Sequence, residues 1–327
     1  MNTKSELLRL LERNRDAYFS GAALAKELSV SRNAVWKAAK LLREEGYGIS
    51  AATNKGYRLV SSGDVLSEAG ITAYLKNKNV FQIDIRKSVA STNTALRELA
   101  VNGAPEWYVL AAEEQTSGKG RMGRTFHSPT GHGVYFSLLL RPGRETADAA
   151  LLTPAAAVAA ARAIEDVTGV SVGIKWVNDL FVGEKKVCGI LTEAAYSMES
   201  GLIESAVMGI GINVTKPEQG YPDEIEDVAA AIMQNQTGAD GERCRLIAAT
   251  LDYFREYYMD LSARKFLNEY RARSILLGCD IYVLSSDGKL PARALEIDDD
   301  CRLIVRYGNG ETAALNSGEV STKRVRS

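Results

Sequence analysis

The apolar positions at the start of the chain recur at the spacing of amphipathic helices. Leu7, Leu8 and Leu11 form one apolar stripe, and Leu24 and Leu28 form a second. A stripe of this kind is typical of a helix that buries one face and exposes the other. The pattern therefore predicts two short helices, one after the other, before the first turn of the chain.

A third helix is predicted to begin after Ser31, which is expected to cap it, and to end at Gly46. Its apolar residues fall at i, i+3, i+4 and i+7 and should be buried, which leaves a polar, basic face outside. The buried set is Val35, Ala38, Ala39 and Leu42. The outer set is Arg32, Asn33, Lys37, Lys40 and Arg43.

Residues 47–50 and 57–60 alternate like strands on either side of a turn at Asn54-Lys55-Gly56, which predicts a β-hairpin. Three helices followed by a hairpin resemble a winged helix-turn-helix, whose third helix enters the major groove of DNA. Residues 1–62 carry 11 Lys and Arg against 6 Asp and Glu, and the remainder has a net charge of −6. The basic surplus favours DNA as the partner over the alternative of a protein-docking module.

The third helix supplies the residues that we expect to contact DNA. For Trp36, packing in the core is the preferred role and DNA contact is the alternative. The expected contacts are Ser31, Arg32, Asn33, Trp36, Lys37 and Lys40.

The totals of the chain bound its class. A length of 327 residues, with 46% hydrophobic and 25% charged, suits a globular protein of two or three domains. No apolar run is long enough to span a bilayer, and the first residues lack the apolar core of a signal peptide, so we expect a cytoplasmic protein. The four cysteines lack C-x-x-C spacing, which argues against a disulfide framework and a zinc site.

Beyond a predicted linker at residues 61–64, helical and strand patterns alternate. The predicted helices cover residues 67–75, 148–167 and 243–273, with a further one that carries Leu96 and Leu99. The predicted strands cover residues 80–85, 106–112, 133–140 and 172–179. Residues 186–193 and 204–214 should form a hairpin around Glu199-Ser200-Gly201. Short strands between residues 281 and 315, with a turn at Asp287-Gly288, predict a small β-module.

The fold class is therefore α+β, with three predicted domains. Residues 1–62 form the winged helix-turn-helix, residues 63–274 form a mixed α/β domain with a sheet flanked by helices, and residues 275–327 form the β-module.

A glycine-rich loop lies between the strands 106–112 and 133–140. The segment 118–124 contains three glycines and three cations, Lys119, Arg121 and Arg124, which suits a phosphate or a carboxylate. It matches G-x-G-x-x-G, but no helical run follows, so a dinucleotide site is not favoured. A kinase loop is not favoured either, because the other kinase motifs are missing. On the loop alone, a mobile basic loop without a ligand remains the alternative.

Three further features are candidates for chemistry. Ser91-Thr92-Asn93 precedes a helix, where capping is the default role and binding of a ligand carbonyl the alternative. Lys175 is flanked by apolar residues, so it is either an exposed edge residue or a partly buried cation with an anion. Glycines within both strands of the predicted hairpin 186–214 permit close approach of a flat ligand.

These motifs together, in this order and behind a winged helix, resemble the bacterial family of bifunctional biotin protein ligases and biotin operon repressors, the BirA family. The resemblance covers nearly the whole chain. The motifs are Ser91-Thr92-Asn93, the loop from Gln115 to Arg124, Lys175-Trp176-Val177-Asn178-Asp179, residues 186–193 and Gly209-Ile210-Gly211-Ile212-Asn213.

The resemblance implies a reaction, its substrates and its partners. Biotin's carboxylate attacks the α-phosphate of MgATP to give biotinyl-5'-adenylate and pyrophosphate, and a carrier lysine then displaces AMP. The carrier would be the biotin carboxyl carrier protein of acetyl-CoA carboxylase and of other biotin-dependent carboxylases. The resemblance also implies that the C-terminal module is an SH3-like barrel. It further implies repression of biotin synthesis genes, and we expect the adenylate to promote a homodimer on palindromic operator DNA.

The resemblance also implies roles for individual residues. The cations must offset the repulsion of two anions, and Lys175 and Arg121 would be catalytic as fixed charges. No protein metal site is implied, since Mg²⁺ enters as MgATP. Biotin would be bound by Ser91, Thr92, Asn93, Gln115, Lys119, Gly120, Arg121 and Lys175. ATP and the adenylate would be bound by Gly118, Arg121, Arg124, Asn178, Lys186 and Asn213.

The sequence departs from the family pattern at three positions. Lys119 and Met122 stand where G-R-G-R-R-G-R has arginine, and Val177 stands where K-W-P-N-D has proline. Lysine keeps the charge but loses the bidentate fork of arginine. Two alternatives remain open: a transcription factor that only senses a small molecule, and a ligase for lipoate.

Overall fold

The computed structural model of the chain describes residues 3–15, 17–52, 55–61, 63, 65–142, 146–196, 202–233, 241–285, 288–316 and 319–322. Parts of the predicted linker and of three predicted turns therefore lie outside the described residues. These parts are Asn54, Ser62, Asp64, Glu199, Ser200, Gly201 and Asp287.

The N-terminal region has the predicted three helices and hairpin. The hydroxyls of Ser20 and Ser31 cap the second and third helices by accepting from the backbone N–H of Ala23 and Ala34, each at 3.1 Å. Gly46 follows the third helix with φ of 102°, which a residue with a side chain rarely adopts. The elements are α1 (Thr3–Arg13), α2 (Gly21–Glu27), α3 (Arg32–Glu44), β1 (Gly48–Ala52) and β2 (Gly56–Ser61).

One face of α3 is buried as predicted, but Trp36 does not pack in the core. Its side chain is 51% exposed, because it follows the buried Val35 by one position and a step of one residue turns about 100° around a helix. The Lys40 ammonium lies 5.9 Å from the Trp36 ring centroid on the outer face. All six residues predicted to contact DNA are exposed on this face or at its start.

The central region is built on one seven-stranded sheet with the strand order β3-β4-β5-β9-β8-β7-β6. Only β3 and β4 are parallel, as expected for two strands joined through a helix, and the other neighbours are antiparallel. The elements up to β5 are α4 (Glu68–Tyr74), β3 (Gln82–Val89), α5 (Thr92–Val101), β4 (Tyr108–Gln115) and β5 (Gly133–Leu140). The rest are α6 (Thr146–Thr168), β6 (Gly173–Lys175), β7 (Asp179–Val182), β8 (Lys185–Tyr196), β9 (Ile203–Asn213), α7 (Glu242–Met259) and α8 (Leu267–Ala272).

Helices cover both faces of this sheet. On one face, α5 packs Leu96 and Ala100 against Leu110 and Leu139. On the other face, α6 and α7 pack against each other and against the sheet. Every residue of β5 is buried, which explains why its sequence is almost continuously apolar.

The strand predicted over residues 172–179 is wrong in its second half. Strand β6 ends at Lys175, residues 176–178 form a turn, and β7 returns antiparallel with Asp179 opposite Lys175. The run of Trp176 and Val177 has the composition of a strand interior. It forms a chain reversal because Trp176 is buried in the core and the Asn178 side chain bonds to the backbone of Ile190.

Helix α4 joins the N-terminal region to the central one. Its Ala69 and Ala73 belong to the winged-helix core, whereas Ile71 belongs to the core of the central domain. Gly70 lies between them, where an added Cβ would come within 2.6 Å of the Tyr47 hydroxyl and 2.7 Å of the Cys244 Sγ. This close approach requires glycine, and it holds the two regions against each other.

The C-terminal module is an antiparallel sheet with the order β13-β12-β11-β10-β14. The predicted closed barrel is not observed, because the short edge strands β13 and β14 do not pair with each other in the described residues. Only residues 316–318 join them, a reach of about 14 Å, so the sheet must curl strongly. The strands are β10 (Asp280–Ser285), β11 (Gly288–Ile297), β12 (Leu303–Tyr307), β13 (Thr312–Leu315) and β14 (Glu319–Thr322).

The ion pair between Glu165 on α6 and Arg273 after α8 gives a pH-dependent contribution to stability. Hydrogen bonds from Arg273 hold the pKa of Glu165 at about 2. The pair therefore stabilises the fold above the ordinary carboxyl pKa of about 4.3 and loses this effect as pH falls through 2. We expect Glu165→Gln to lower the free energy of unfolding at pH 7 by roughly 0.5–1 kcal/mol, since the pair is partly exposed.

Urea unfolding of both proteins at pH 7 and at pH 2.5 tests this prediction. The difference between them should shrink at the lower pH, and an equal difference at both values would contradict it. Glu98→Gln, on the exposed side of α5, gives the background effect of the same substitution.

Candidate active site

A cavity of about 440 Å³, counting the part open to solvent, lies over the sheet where the glycine-rich loop meets β8, β9 and the start of α5. Nine of the residues predicted for the site line it. They are Ser91, Thr92, Asn93, Gln115, Lys119, Gly120, Arg121, Asn178 and Lys186. The other lining residues are Phe126, Gly189, Ile190, Leu191, Gly209, Ile210 and Gly211.

Four predicted residues are not among the lining residues. Gly118 is buried at the base of the loop, and Arg124 is exposed at its far end. Lys175 is half-buried at the end of β6, with its ammonium 5.5 Å from the Phe181 ring centroid. Asn213 ends β9 and donates its side-chain N–H to the Ala230 carbonyl at 3.1 Å.

The glycine-rich loop folds back on itself and returns to the sheet. Lys119 and Thr125 form an antiparallel bridge, and so do Gln115 and Ser128 at its base. The Phe126 N–H donates to the Gly118 carbonyl at 2.8 Å, so close that a Cβ on Gly118 would lie 2.4 Å from the Phe126 oxygen. The loop is thus held between β4 and β5 as predicted, and no helix opens after it.

The N-terminus of α5 faces the cavity. Ser91 occupies the N-cap position, is 2% exposed, and makes no capping hydrogen bond with its side chain. Capping, the default role expected for this serine, is therefore wrong. Its hydroxyl lines the cavity at the positive end of a helix, which suits a ligand oxygen.

A buried hydrogen-bond chain fixes the orientation of Gln115. Its Oε1 accepts from the Thr92 N–H at 2.8 Å and from the Thr92 hydroxyl at 3.1 Å. Its Nε2 donates to the Ser128 hydroxyl at 2.9 Å, and that hydroxyl donates to the Phe126 carbonyl. The amide oxygen therefore points to Thr92, and one N–H of Nε2 remains to donate to a ligand.

Ser137, which the sequence pattern did not single out, completes this chain from below. Its hydroxyl is 0% exposed and lies 2.7 Å from the Thr92 hydroxyl and 2.6 Å from the Asn93 Oδ1. A serine inside an otherwise apolar strand was the one available signal, because a buried hydroxyl requires a partner.

Asn93 lines the cavity, but its side-chain amide makes hydrogen bonds to other groups of the protein. Its Oδ1 accepts from Ser137, and its Nδ2 donates to the Leu191 carbonyl at 3.2 Å and to the Glu193 carboxylate at 2.8 Å. The three contacts tie the start of α5 to β5 and β8. Asn93 therefore shapes the cavity by holding the elements that carry Ser91 and Thr92.

The strand glycines make room for side chains of the protein itself. A Cβ on Gly211 would lie 2.5 Å from the Phe126 ring, and one on Gly209 would lie 2.1 Å from the Asn93 Oδ1. At Gly189, the nearest groups are the Lys186 ammonium at 3.0 Å and the Phe126 ring at 3.3 Å. The sequence predicts room for a flat ligand against these glycines. The Phe126 ring, which lies against Gly189 and Gly211 on two neighbouring strands, fills part of that room.

The cations at the cavity are Lys119, Arg121 and Lys186. Arg121 donates to the Asn178 Oδ1 at 3.0 Å, and Lys186 pairs with Asp179 at 2.8 Å. Desolvation lowers the pKa of His127 in the same loop, so this imidazole is neutral at pH 7. The described residues that line the cavity include three cations and no carboxylate, so the site favours an anionic ligand.

Comparison with known proteins agrees with the fold and the site. Residues 85–213 match the Biotin/lipoate A/B protein ligase family, residues 3–58 match an HTH domain, and residues 278–323 match the Biotin protein ligase C terminal domain. All residues that line the cavity lie within the first of these matches. The fold and site thus define a protein of the biotin and lipoate ligase class with a DNA-binding domain.

The similar proteins narrow this class. The chain is 35% identical over 311 residues to the bifunctional ligase/repressor BirA of Bacillus subtilis, covering 94% of this chain and 95% of that protein. It is 30% identical to the biotin--[acetyl-CoA-carboxylase] ligase of Mycobacterium tuberculosis, covering 73% and 88%. The biotin protein ligase of Aquifex aeolicus, solved with biotin and ATP, superposes with a TM-score of 0.61 at 27% identity, covering 74% and 99%. The chain belongs to the family of bifunctional biotin ligases and repressors.

Removal of the Ser137 hydroxyl should weaken biotin binding although this residue does not line the cavity. Ser137→Ala removes a buried hydroxyl that lies against both Thr92 and Asn93 and can donate to one of them at a time, so we expect biotin affinity to fall roughly 5-fold or more. Isothermal titration with biotin measures this change. The control is Ser5→Ala, another buried serine, which lies on α1 and should leave biotin affinity unchanged; equal affinities in all three proteins would contradict the prediction.

Proposed function

We propose that this protein is an ATP-dependent, AMP-forming ligase that attaches biotin to a lysine of a carboxyl carrier protein, and that it represses biotin synthesis genes with the adenylate as corepressor. One observation carries the ligase proposal. A single cavity contains both an oriented, neutral hydrogen-bonding chain at Thr92 and Gln115 and three cations. Biotin has a neutral ureido ring and a carboxylate, so it uses both kinds of lining.

The reaction joins two anions, and this requirement explains the cations. The carboxylate oxygen of biotin attacks the α-phosphorus of ATP, and the bond to the leaving pyrophosphate breaks. Positive charge from Lys119, Arg121 and Lys186 offsets the repulsion and stabilises the charge on the phosphoryl oxygens. The ε-amine of a carrier lysine then attacks the mixed anhydride at the biotin carbonyl, and AMP leaves.

The assignment of residues follows the geometry. We assign the biotin ring to Ser91, Thr92 and Gln115, because a pocket with oriented polar groups rejects analogues that leave those groups unpaired. Asn93 serves biotin by positioning these groups. Lys119, Gly120 and Arg121 face the carboxylate and the α-phosphate.

We assign the nucleotide to the remaining predicted residues. Asn178 and Lys186 reach it from the cavity, whereas Gly118, Arg124 and Asn213 act from outside the cavity lining. Mg²⁺ enters with the phosphates as MgATP. Within the described ranges, no group of three His, Cys, Asp or Glu side chains is placed to hold a metal.

Lys175 is assigned as a fixed charge for adenylation. It lies three residues before the lining residue Asn178, at the start of the turn, and its backbone pairs with Asp179. We expect Lys175→Ala to lower the rate of biotin-dependent exchange of labelled pyrophosphate into ATP by roughly 100-fold or more, because it removes charge stabilisation of the transition state.

The same assay tests the function itself. Wild-type protein with Mg²⁺ should catalyse exchange only when biotin is present, and lack of exchange in folded protein would leave a small-molecule sensor as the better function. Lipoate in place of biotin should not support exchange. The matched control is Lys265→Ala, which changes an exposed lysine paired with Asp260. A wild-type rate in Lys175→Ala would show that Lys175 has no part in adenylation.

The winged helix is assigned to operator DNA. The exposed face of α3 presents Arg32, Lys37 and Lys40, and the Trp36 ring lies beside them. On the hairpin side, Arg58 and Lys55 lie over the Tyr18 ring, at 4.9 and 5.9 Å from its centroid. The helix suits the major groove, and the hairpin cations suit the phosphate backbone.

We further propose a homodimer that forms when the adenylate is bound. The adenylate phosphate would order the glycine-rich loop by pairing with its cations, and two winged helices would then bind a palindromic site together. We also propose a cytoplasmic location, where ATP and a carboxyl carrier protein would be present. None of the described helices combines the length and the hydropathy needed to cross a bilayer.

The coupling between the two activities can be measured on DNA taken from upstream of the biotin synthesis genes. We expect biotin, ATP and Mg²⁺ together to raise the affinity of the protein for this DNA roughly tenfold or more, the usual scale of such coupling. Fluorescence anisotropy measures the affinity. An affinity that does not respond to biotin and ATP would refute the coupling, and Lys37→Ala should lower the affinity under both conditions.

A further inference from the structure

The turn at residues 176–178 is held from the side of α8 and the C-terminal module. The Trp176 indole N–H donates to the backbone carbonyl of Cys301 at 2.9 Å. Cys301 lies in the turn between β11 and β12 and has φ of 59°. One side chain of this turn is therefore fixed by the backbone of a different domain.

The second support is the hydroxyl of Tyr270, which donates to the Val177 carbonyl at 2.9 Å. Tyr270 is 0% exposed and lies on α8. Burial raises the pKa of Tyr270 well above its ordinary value, and the nearby positive charge of Arg121 opposes that shift. The phenol is therefore a hydrogen-bond donor at neutral pH, and the charge of Arg121 contributes to its electrostatic environment.

The turn at residues 176–178 also positions Arg121, one of the cations of the cavity. Asn178 is 8% exposed, and its Nδ2 donates to the Ile190 carbonyl at 2.9 Å. Its Oδ1 accepts from Arg121 at 3.0 Å. If the Val177 carbonyl shifted, the adjacent Asn178 would move with it, and Arg121 would lose the acceptor that holds it.

We propose that Tyr270 is a positioning residue for adenylation: by holding the Val177 carbonyl, it sets Asn178 and thereby fixes Arg121 at the cavity. This inference rests on the proposed ligase function. Tyr270 is not a cavity-lining residue, so it acts through the turn and not by touching the substrates. The groups assigned to the biotin ring lie on α5 and β4 and make no hydrogen bond to this turn in the described residues.

The chain offers a matched control for loss of a buried phenol. Tyr257 on α7 is 3% exposed, and its ring packs edge-on against Phe266 at 5.9 Å between centroids. In contrast with Tyr270, its hydroxyl has no hydrogen-bond partner within the described residues. Tyr257→Phe therefore removes the same atom from a similar environment without removing a hydrogen bond.

The test is biotin-dependent pyrophosphate exchange by Tyr270→Phe in the full chain. Titration with biotin alone counts the binding-competent sites, and the rate is expressed per site. We expect the rate per site to fall roughly 5- to 10-fold through loss of one hydrogen bond. Biotin affinity should fall by a smaller factor, because Arg121 is only one of the groups that face the carboxylate and the contacts of the ring are unchanged. Tyr257→Phe should keep the wild-type rate per site.

Two results would overturn the proposal. One is an unchanged rate per site, and the other is a loss of biotin affinity as large as the loss of rate, which is the signature of general damage to the fold. If Tyr270→Phe does not fold, Trp176→Phe removes the other hydrogen bond to the same turn, and the same criteria apply to it.

The route through Arg121 is tested by a double-mutant cycle. In an Arg121→Ala background, Tyr270→Phe should change the residual rate by less than about twofold, because the group that it positions is gone. Equal fold-changes in both backgrounds would overturn the route. Exchange by the wild-type protein establishes the ligase function independently, so failure of this inference is distinguishable from failure of the function.

Discussion

The placement of the Phe126 ring on the central sheet is the contact on which the active site depends. The ring lies over Gly211 and Gly189 on neighbouring strands: a side chain at Gly211 would collide with it, and one at Gly189 would be in tight contact with it. It anchors the returning end of the glycine-rich loop, while the pairing of Gln115 with Ser128 anchors the base. The two ends of a loop that carries several like charges are thereby held against the sheet, and the exposed cations between them are the part that the adenylate would order.

The buried hydrogen-bond chain through Thr92, Gln115 and Ser128 has a fixed donor-to-acceptor direction. Hydrogen bonds from Thr92 to Gln115 and from Gln115 to Ser128 all run one way, towards the loop. Buried polar groups in such a chain cannot reverse individually, because each reversal would leave a donor facing a donor. The neutral part of the cavity therefore has a fixed polarity, which gives selectivity for a ligand with matching acceptors.

Most of the fold could be predicted from the sequence where one periodicity dominates. The winged helix, the Ala-rich helix α6 and the long hairpin of β8 and β9 were of this kind, and so was the cavity lining where motifs are local. The pattern failed at Trp36 and at Trp176, for opposite reasons. Helix geometry turns the first towards solvent, whereas the second is buried in a turn and donates a hydrogen bond to a carbonyl of the C-terminal module. Ser137 has one local signal, a serine inside an apolar strand, whereas Tyr270 has none, because its hydrogen-bond partner Val177 lies far away along the chain.

The shared helix α4 has a consequence for how the protein unfolds. Ala69 and Ala73 complete one hydrophobic core while Ile71 completes another, and both sets lie within two turns of the same helix. Neither core can open without stripping apolar surface from the helix that the other needs. We therefore expect the DNA-binding region and the catalytic region to unfold together, and a truncation at residue 62 to expose the apolar face of α4 formed by Ala69 and Ala73.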